Sequence, residues 1–275
     1  MNKSLAAMRG WPWHIVAPVI LFVLVAVLSP WIMPYDPTAQ DYMATLQGPS
    51  LAHWLGTDYL GRDLLSRLIG GARVSLVAMS LVLASALVIG VVIGSLAGYI
   101  GGKVEVALIS MIDIALALPS LVIALALIGI MGPGYWSMIA ALTLAWWANY
   151  ARMSRAVVVT ELRQPYIEAA RIMGAGHLHI FFRHILPNVL SPVMVAATLG
   201  FAAAIITESA LSFLGLGFPP DFPTWGRLLF EGVEYMQMDP NRVLFPGLAI
   251  SLTVLAINYI GDGLRDALDP RQRGR

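Results

Sequence analysis

Six separate stretches of this 275-residue chain are long and apolar enough to cross a membrane as helices: about 14–33, 74–100, 108–131, 135–158, 189–213 and 243–262. A hydrocarbon core about 30 Å thick needs about 20 helical residues. The chain is 58% hydrophobic and 12% charged, where a soluble domain carries about a quarter charged residues. The expected fold is therefore an all-α polytopic membrane protein of six transmembrane helices, the fourth starting after the Gly132-Pro133-Gly134 turn. Lys3 and Arg9 ahead of the first run imitate a signal peptide. That run is too long for one, however, and Ser29-Pro30-Trp31 offers no small-x-small cleavage site, so an uncleaved first span is expected. Cysteine is absent, which excludes disulfides and thiolate chemistry.

Six spans put both termini on one side, and the basic residues choose it. With the N-terminus inside, the inner segments hold Lys3, Arg9, Lys103, Arg152, Arg155, Arg163, Arg171, Arg183, Arg265, Arg271, Arg273 and Arg275. The outer segments hold Arg62, Arg67, Arg73, Arg227 and Arg242, a division of 12 to 5 among the 17 basic residues. The positive-inside rule then places both termini in the cytoplasm, together with a polar island from about Arg152 to Asn188.

Several elements have a physical reading of their own. Gly90, Gly94 and Gly98 recur every fourth residue and form a ridge for close helix approach, within one chain or across a dimer. Asp113 is an ionisable group near one end of the third run, suited either to a translocation path or to an interfacial packing role. Pro119 further on should bend that helix. Glu208 interrupts an apolar run just before a segment rich in proline and glycine, Phe218 to Gly226, so the helix should end near it. The residue is either in an outer vestibule or a buried charge paired with a neighbouring helix. In the outer segment 34–73, turn-formers and charges through Asp63 precede an amphipathic spacing of Leu64, Leu65, Leu68 and Ile69. That pattern reads as a turn leading into a helix on the outer membrane surface, a clip between spans or a partner-receiving element.

Catalytic and ligand-binding classes find little support. His177 and His179 point nearly opposite ways on a helix, and no carboxylate joins them with His184 to complete a metal site. Gly98 to Val104 evokes a phosphate loop, yet Ala97 stands where the first glycine is needed and Val104 where a Ser or Thr is needed. No nucleic-acid partner, no cofactor in this chain and no enzymatic activity are expected.

The island reads Tyr166-Ile167-Glu168-Ala169-Ala170-Arg171-Ile172-Met173-Gly174, then His184-Ile185-Leu186-Pro187. This is a short helix, a glycine break and a second helix, without transmembrane length. It resembles the EAA loop of binding-protein-dependent ABC importer permeases. Leu55 to Asp63 with Ser66-Arg67, and Leu211 to Gly217 with Trp225-Gly226, resemble two further segments of the dipeptide, oligopeptide and nickel group, closest to its C-type subunit. The likeness runs over nearly the whole chain.

The resemblance implies a type I importer permease fold with Glu168, Ala169, Ala170, Arg171, Gly174, His184 and Pro187 as the ATPase-coupling residues, and Asp113 and Glu208 as candidates for the path. It implies a second permease subunit as heterodimer partner, two cytoplasmic ATP-binding subunits carrying ATP and Mg, and an extracytoplasmic solute-binding protein, assembled with membrane lipid in a prokaryotic inner membrane. The cargo would be peptides, nickel or metal chelates, or glutathione. The chain divides into an N-terminal region with the first span and outer loop (1–72), a permease core (73–262, coupling loop about 152–188) and a cytoplasmic tail (263–275). The competing reading is an ion-coupled secondary transporter, for which only Asp113 and Glu208 are available as coupling groups.

Overall fold

The computed structural model describes residues 13–268 and is helical among them, with one isolated bridge between Thr57 and Asp63 in place of any strand. The helices are α1 (Trp13–Ile32), α2 (Leu64–Ile100), α3 (Gly102–Ala117), α4 (Ser120–Met131), α5 (Tyr135–Glu161), α6 (Pro165–Ile172), α7 (His177–Ile180), α8 (Leu186–Phe213), α9 (Trp225–Val233) and α10 (Asn241–Leu268). A π turn, Phe181–Ile185, joins α7 to α8.

Among the described residues, three helices are long and apolar enough to span: α2, the continuous His177–Phe213 rod, and α10. A fourth candidate is the pair α3 and α4, bent by 88°. The sequence expects one kinked helix over 108–131; instead the chain breaks. Proline crowds the residue before it out of the helical region, and Leu118 is accordingly extended at φ −104°, ψ 143°. Helix α5 has the length but is more polar, with Asn149, Arg152 and Arg155 within it.

The centre of the bundle is α2 against α5, and the glycine ridge explains their approach. A Cβ on Gly94 would lie 2.1 Å from the Ala151 carbonyl oxygen; on Gly90 it would meet Trp147 and Tyr150, and on Gly98 the Arg155 backbone. The ridge therefore serves packing within the chain. One core joins Met79 and Val82 of α2 to Ile128, Leu142 and Ile205 toward the end of the bundle that holds the start of α2. A second joins Ala86 and Val91 to Trp147, Tyr150 and Val158 of α5, and includes Ile167, Ile180 and Ile185 from the α5–α8 connection.

The expected surface helix at 64–73 is instead the first turns of α2. Asp63 caps it, its Oδ2 accepting from the Ser66 amide at 2.7 Å. The amphipathic spacing is real, but the buried face, with Leu64, Ser66, Arg67 and Gly70, packs inward. Gly71 lies against Pro223 and Trp225.

Candidate functional site: the connection between α5 and α8

The polar island folds as a rigid hairpin. Pro165 opens α6, where its missing N–H costs nothing. The helix then ends in a Schellman closure: the Gly174 amide bonds Arg171 O and the Ala175 amide bonds Ala170 O, each at 3.0 Å. Gly174 sits at φ +86°, the left-handed conformation this closure requires. The break placed there by sequence is thus present, and its outer side is open, with nothing within 4 Å of a Cβ.

The π turn has an equally local cause. Pro187 has no N–H to offer the Arg183 carbonyl, and the Leu186 amide reaches back to Phe181 O instead. Ile180 and Ile185 are buried by this winding. Tyr99 of α2 bonds the His177 carbonyl at 2.9 Å and packs edge-on against Phe181.

These anchors divide the hairpin into two faces. Ile167 and Ala170 point into the bundle. Glu168, Ala169, Arg171 and Gly174 lie on the exposed side, with Ile172 82%, Met173 80%, Leu178 74% and Phe182 61% exposed. An apolar patch of this kind beside charged residues suits contact with another protein or with the membrane surface. His184 is half-buried, its ring tilted against Tyr166 and edge-on to His179, and Pro187 is exposed. The expected coupling residues therefore share one hairpin but not one face.

One cluster escapes sequence reasoning. Tyr166 donates to the Glu161 carboxylate, and Asn188 Nδ2 donates to Tyr166 at 2.9 Å and to Glu161 at 3.2 Å. It ties the start of α6 to both long helices. Burial first, then Glu161, pushes the Tyr166 phenol up to about 12.

The two other carboxylates lie elsewhere. Asp113 Oδ1 accepts from Arg152 Nη2 at 2.6 Å, with both side chains more than half exposed. Together with Glu105 and Arg155 it links α3 to α5 at the hairpin end of the bundle. Glu208 is fully buried and accepts from Ser212 Oγ at 2.8 Å, while its Oε2 has no partner. It is closed off from solvent within this chain and meets no cation among the described residues. The helix does end close by, at Phe213.

At the end of the bundle opposite the hairpin, the turn-and-charge segment is clamped to α9 by buried ion pairs. Asp58 Oδ2 meets Arg62 at 2.6 Å and Arg67 at 2.5 Å, and Glu231 Oε2 meets Arg67 at 2.6 Å and Arg62 at 3.0 Å. Helix α9 and Glu231 give no warning in sequence, because the run after Pro223 is short and carries a single turn signal. Its capping residue, Thr224, accepts from the Arg227 amide at 3.2 Å and was the available clue.

The fold of this helical bundle is shared with solved ABC transporters. The chain superposes on the methionine ABC transporter solved in inward-facing conformations with a TM-score of 0.63 at 20% identity, over 75% of this chain and 98% of that one. An amino acid ABC transporter solved with histidines gives 0.52 at 18% identity, over 76% and 94%.

Residues 90–274 match the binding-protein-dependent transport system inner membrane component family, and the chain belongs to it. Residues 17–49 match the N-terminal transmembrane domain of oligopeptide transport permease C. The di/tripeptide transport permease of Pseudomonas aeruginosa is 45% identical over 92% of this chain and 86% of its own length. The nickel transport permease of Escherichia coli K12 is 38% identical over 92% and 91%. The glutathione transport permease of Pectobacterium atrosepticum is 42% identical over 92% and 84%.

Proposed function

We propose that this chain is the membrane-spanning permease subunit of an ATP-driven importer that passes a short peptide, or a related small solute such as glutathione or a nickel chelate, into the cytoplasm. The observation that carries the reading is the α5–α8 hairpin in a chain of this family. Ile172, Met173, Leu178 and Phe182 project outward, while Ile167, Ile180 and Ile185 bind the same element into the bundle. A soluble subunit seated on the outer face would move the bundle through the inner one. Secondary ion coupling has less to stand on: Asp113 is in an exposed ion pair and Glu208 is sealed from solvent.

In this reading Glu168, Ala169, Arg171 and Gly174 meet a cytoplasmic ATPase, two copies of which carry the ATP and Mg. His184 and Pro187 act behind them, setting the pitch of α8. The chain is taken to have six spans in a prokaryotic inner membrane, and the 12-to-5 division of basic residues supports placing both termini in the cytoplasm. Here α5 counts as a span sheltered within the bundle, and α3–α4 as one broken span. A second, related permease completes the pathway, and an extracytoplasmic binding protein delivers and selects the cargo. Residues 1–72 form the N-terminal region, 73–262 the core and 263–275 the tail.

The test is uptake into proteoliposomes holding the assembled transporter, with ATP inside and the binding protein outside. Uptake should require both. Uptake driven by a proton gradient alone would overturn the reading.

A further inference from the structure

At the hairpin end of the bundle a cleft of about 590 Å3 opens between α5, α8 and α10. Its volume lies within the range of small-ligand sites. Two of the helices grade its lining in the same direction, and the third adds charge at the same end. On α5, Glu161 stands at the helix end and Met153 two turns deeper. On α8, Asn188 and Ser191 come first and Val195 and Leu199 follow, a course of about 16 Å from Asn188 to Leu199 at 1.5 Å per residue. On α10, Asp262 and Arg265 lie toward the C-terminal end. The mouth is therefore polar and ionisable, and the floor apolar. Since α8 and α10 are both long and apolar enough to span, this gradient runs along the membrane normal from the headgroup level inward.

The charges at the mouth are two carboxylates and one guanidinium. Tyr166 and Asn188 both bond Glu161 at Oε2, which leaves Oε1 for a further donor. On α10, Asp262 and Arg265 are three residues apart and share a helix face. A ligand matched to this set carries an ammonium group for the carboxylates, an anionic oxygen close by for the guanidinium, and apolar chains below.

We infer that this cleft binds a phosphatidylethanolamine-type phospholipid, with its ammonium group on Glu161 and Asp262, its phosphate on Arg265, and the upper acyl chains along Met153, Val195 and Leu199. The inference rests on α8 and α10 crossing the membrane and does not depend on the cargo. Because Glu161 also fastens Tyr166 at the start of α6, the lipid becomes part of the support of the hairpin.

The test uses the full-length chain purified in mild detergent, stripped of lipid, and titrated by native mass spectrometry with phosphatidylethanolamine, phosphatidylglycerol and free phosphoethanolamine. Phosphatidylethanolamine should be retained preferentially. The E161Q/D262N double variant should bind it about tenfold more weakly and lose the preference over phosphatidylglycerol, while E234Q, at the opposite end of the bundle, should leave retention unchanged. Ser191→Phe, which fills the mouth without altering charge, should also lower retention, and it provides a second reading if the double variant is poorly folded. Equal binding of the two lipids by the unaltered chain would overturn the inference. So would undiminished retention in both mouth variants, or displacement of the lipid by an equal concentration of free phosphoethanolamine.

Discussion

Replacing Gly94 by alanine adds one methyl group to the tightest helix crossing in the chain. The new Cβ would sit 2.1 Å from the Ala151 carbonyl oxygen, 2.8 Å from its carbon and 2.9 Å from its Cα. All three are backbone atoms of α5, so no side chain can swing away. Restoring even a 3.0 Å separation requires α2 and α5 to part by about 0.9 Å, the difference between 3.0 and 2.1 Å. Overpacking of this kind costs about 1–3 kcal/mol, and a gap approaching 1 Å forfeits about a quarter to a half of each neighbouring dispersion contact. Against this, alanine is better than glycine in a helix by about 0.8–1.0 kcal/mol. The net expectation is a loss of up to about 2 kcal/mol. Gly129→Ala provides the control, since that glycine lies inside α4 with nothing within 4 Å of a Cβ. It should gain up to about 1 kcal/mol from propensity alone. Thermal unfolding of the detergent-purified chain measures both. If Gly94→Ala proves as stable as Gly129→Ala, the α2–α5 crossing is not the close contact described.

Further outcomes follow from the same geometry. Gly174→Asp meets no steric obstacle but must adopt the left-handed conformation, at a cost of about 1–2 kcal/mol; insertion should persist while ATPase co-purification and uptake fall, and unchanged uptake would remove the coupling role of the hairpin. Glu231→Gln weakens the partner of Arg67, which is 1% exposed. Breaking a buried pair costs about 3–5 kcal/mol, and protease resistance of the α9 region should drop accordingly; resistance equal to the unaltered chain would show that the clamp is not formed. Asp113→Asn removes an exposed pair worth under about 1 kcal/mol, so stability and uptake should both stay near their original values, and a large loss of uptake with intact folding would place Asp113 on the pathway. Glu208→Gln keeps the acceptor for Ser212 and removes no cation contact, so the purified chain should stay monodisperse; aggregation would reveal an ionic partner for Glu208.

What was legible in sequence depended on how local its cause was. The break at Gly174 is set by a handful of residues and a backbone conformation that favours glycine, so the sequence alone places it. The glycine ridge was equally plain as a pattern, but its partner was not, because three glycines on one face say nothing about which backbone they meet. Pro119 announced a bend; that the chain breaks fully depends on how Leu118 and its neighbours find partners. Leu64 to Ile69 shows the opposite failure. Its amphipathic period points to the membrane surface, yet the apolar and basic face that it buries is covered by α9, some 160 positions away. Long-range ion pairs such as Arg67 with Glu231 have no signature in either segment alone.

The same distinction bears on how the hairpin acts. Its exposed residues are those a sequence motif exposes to view, but whether they transmit anything depends on the hidden side. Ile167, Ile180 and Ile185 lie in one core with Val91, Trp147 and Val158, at the same end of the α2–α5 contact that Gly94 and Gly98 close. Close-packed interiors pass on displacement instead of absorbing it, so a push on Ile172 or Met173 reaches α5 and α2 together as one body. Tyr166 and Asn188 make the same link from the polar side, joining α6 to α5 and α8 through Glu161. A coupling element built this way should be sensitive to its anchors as well as its contact face. Tyr166→Phe leaves the exposed patch intact and removes only the hydroxyl that bridges Glu161 and Asn188. If the hairpin works as a lever, that variant should keep the ATPase bound yet lower the uptake gained per ATP hydrolysed, whereas a hairpin that only docks would leave the ratio unchanged.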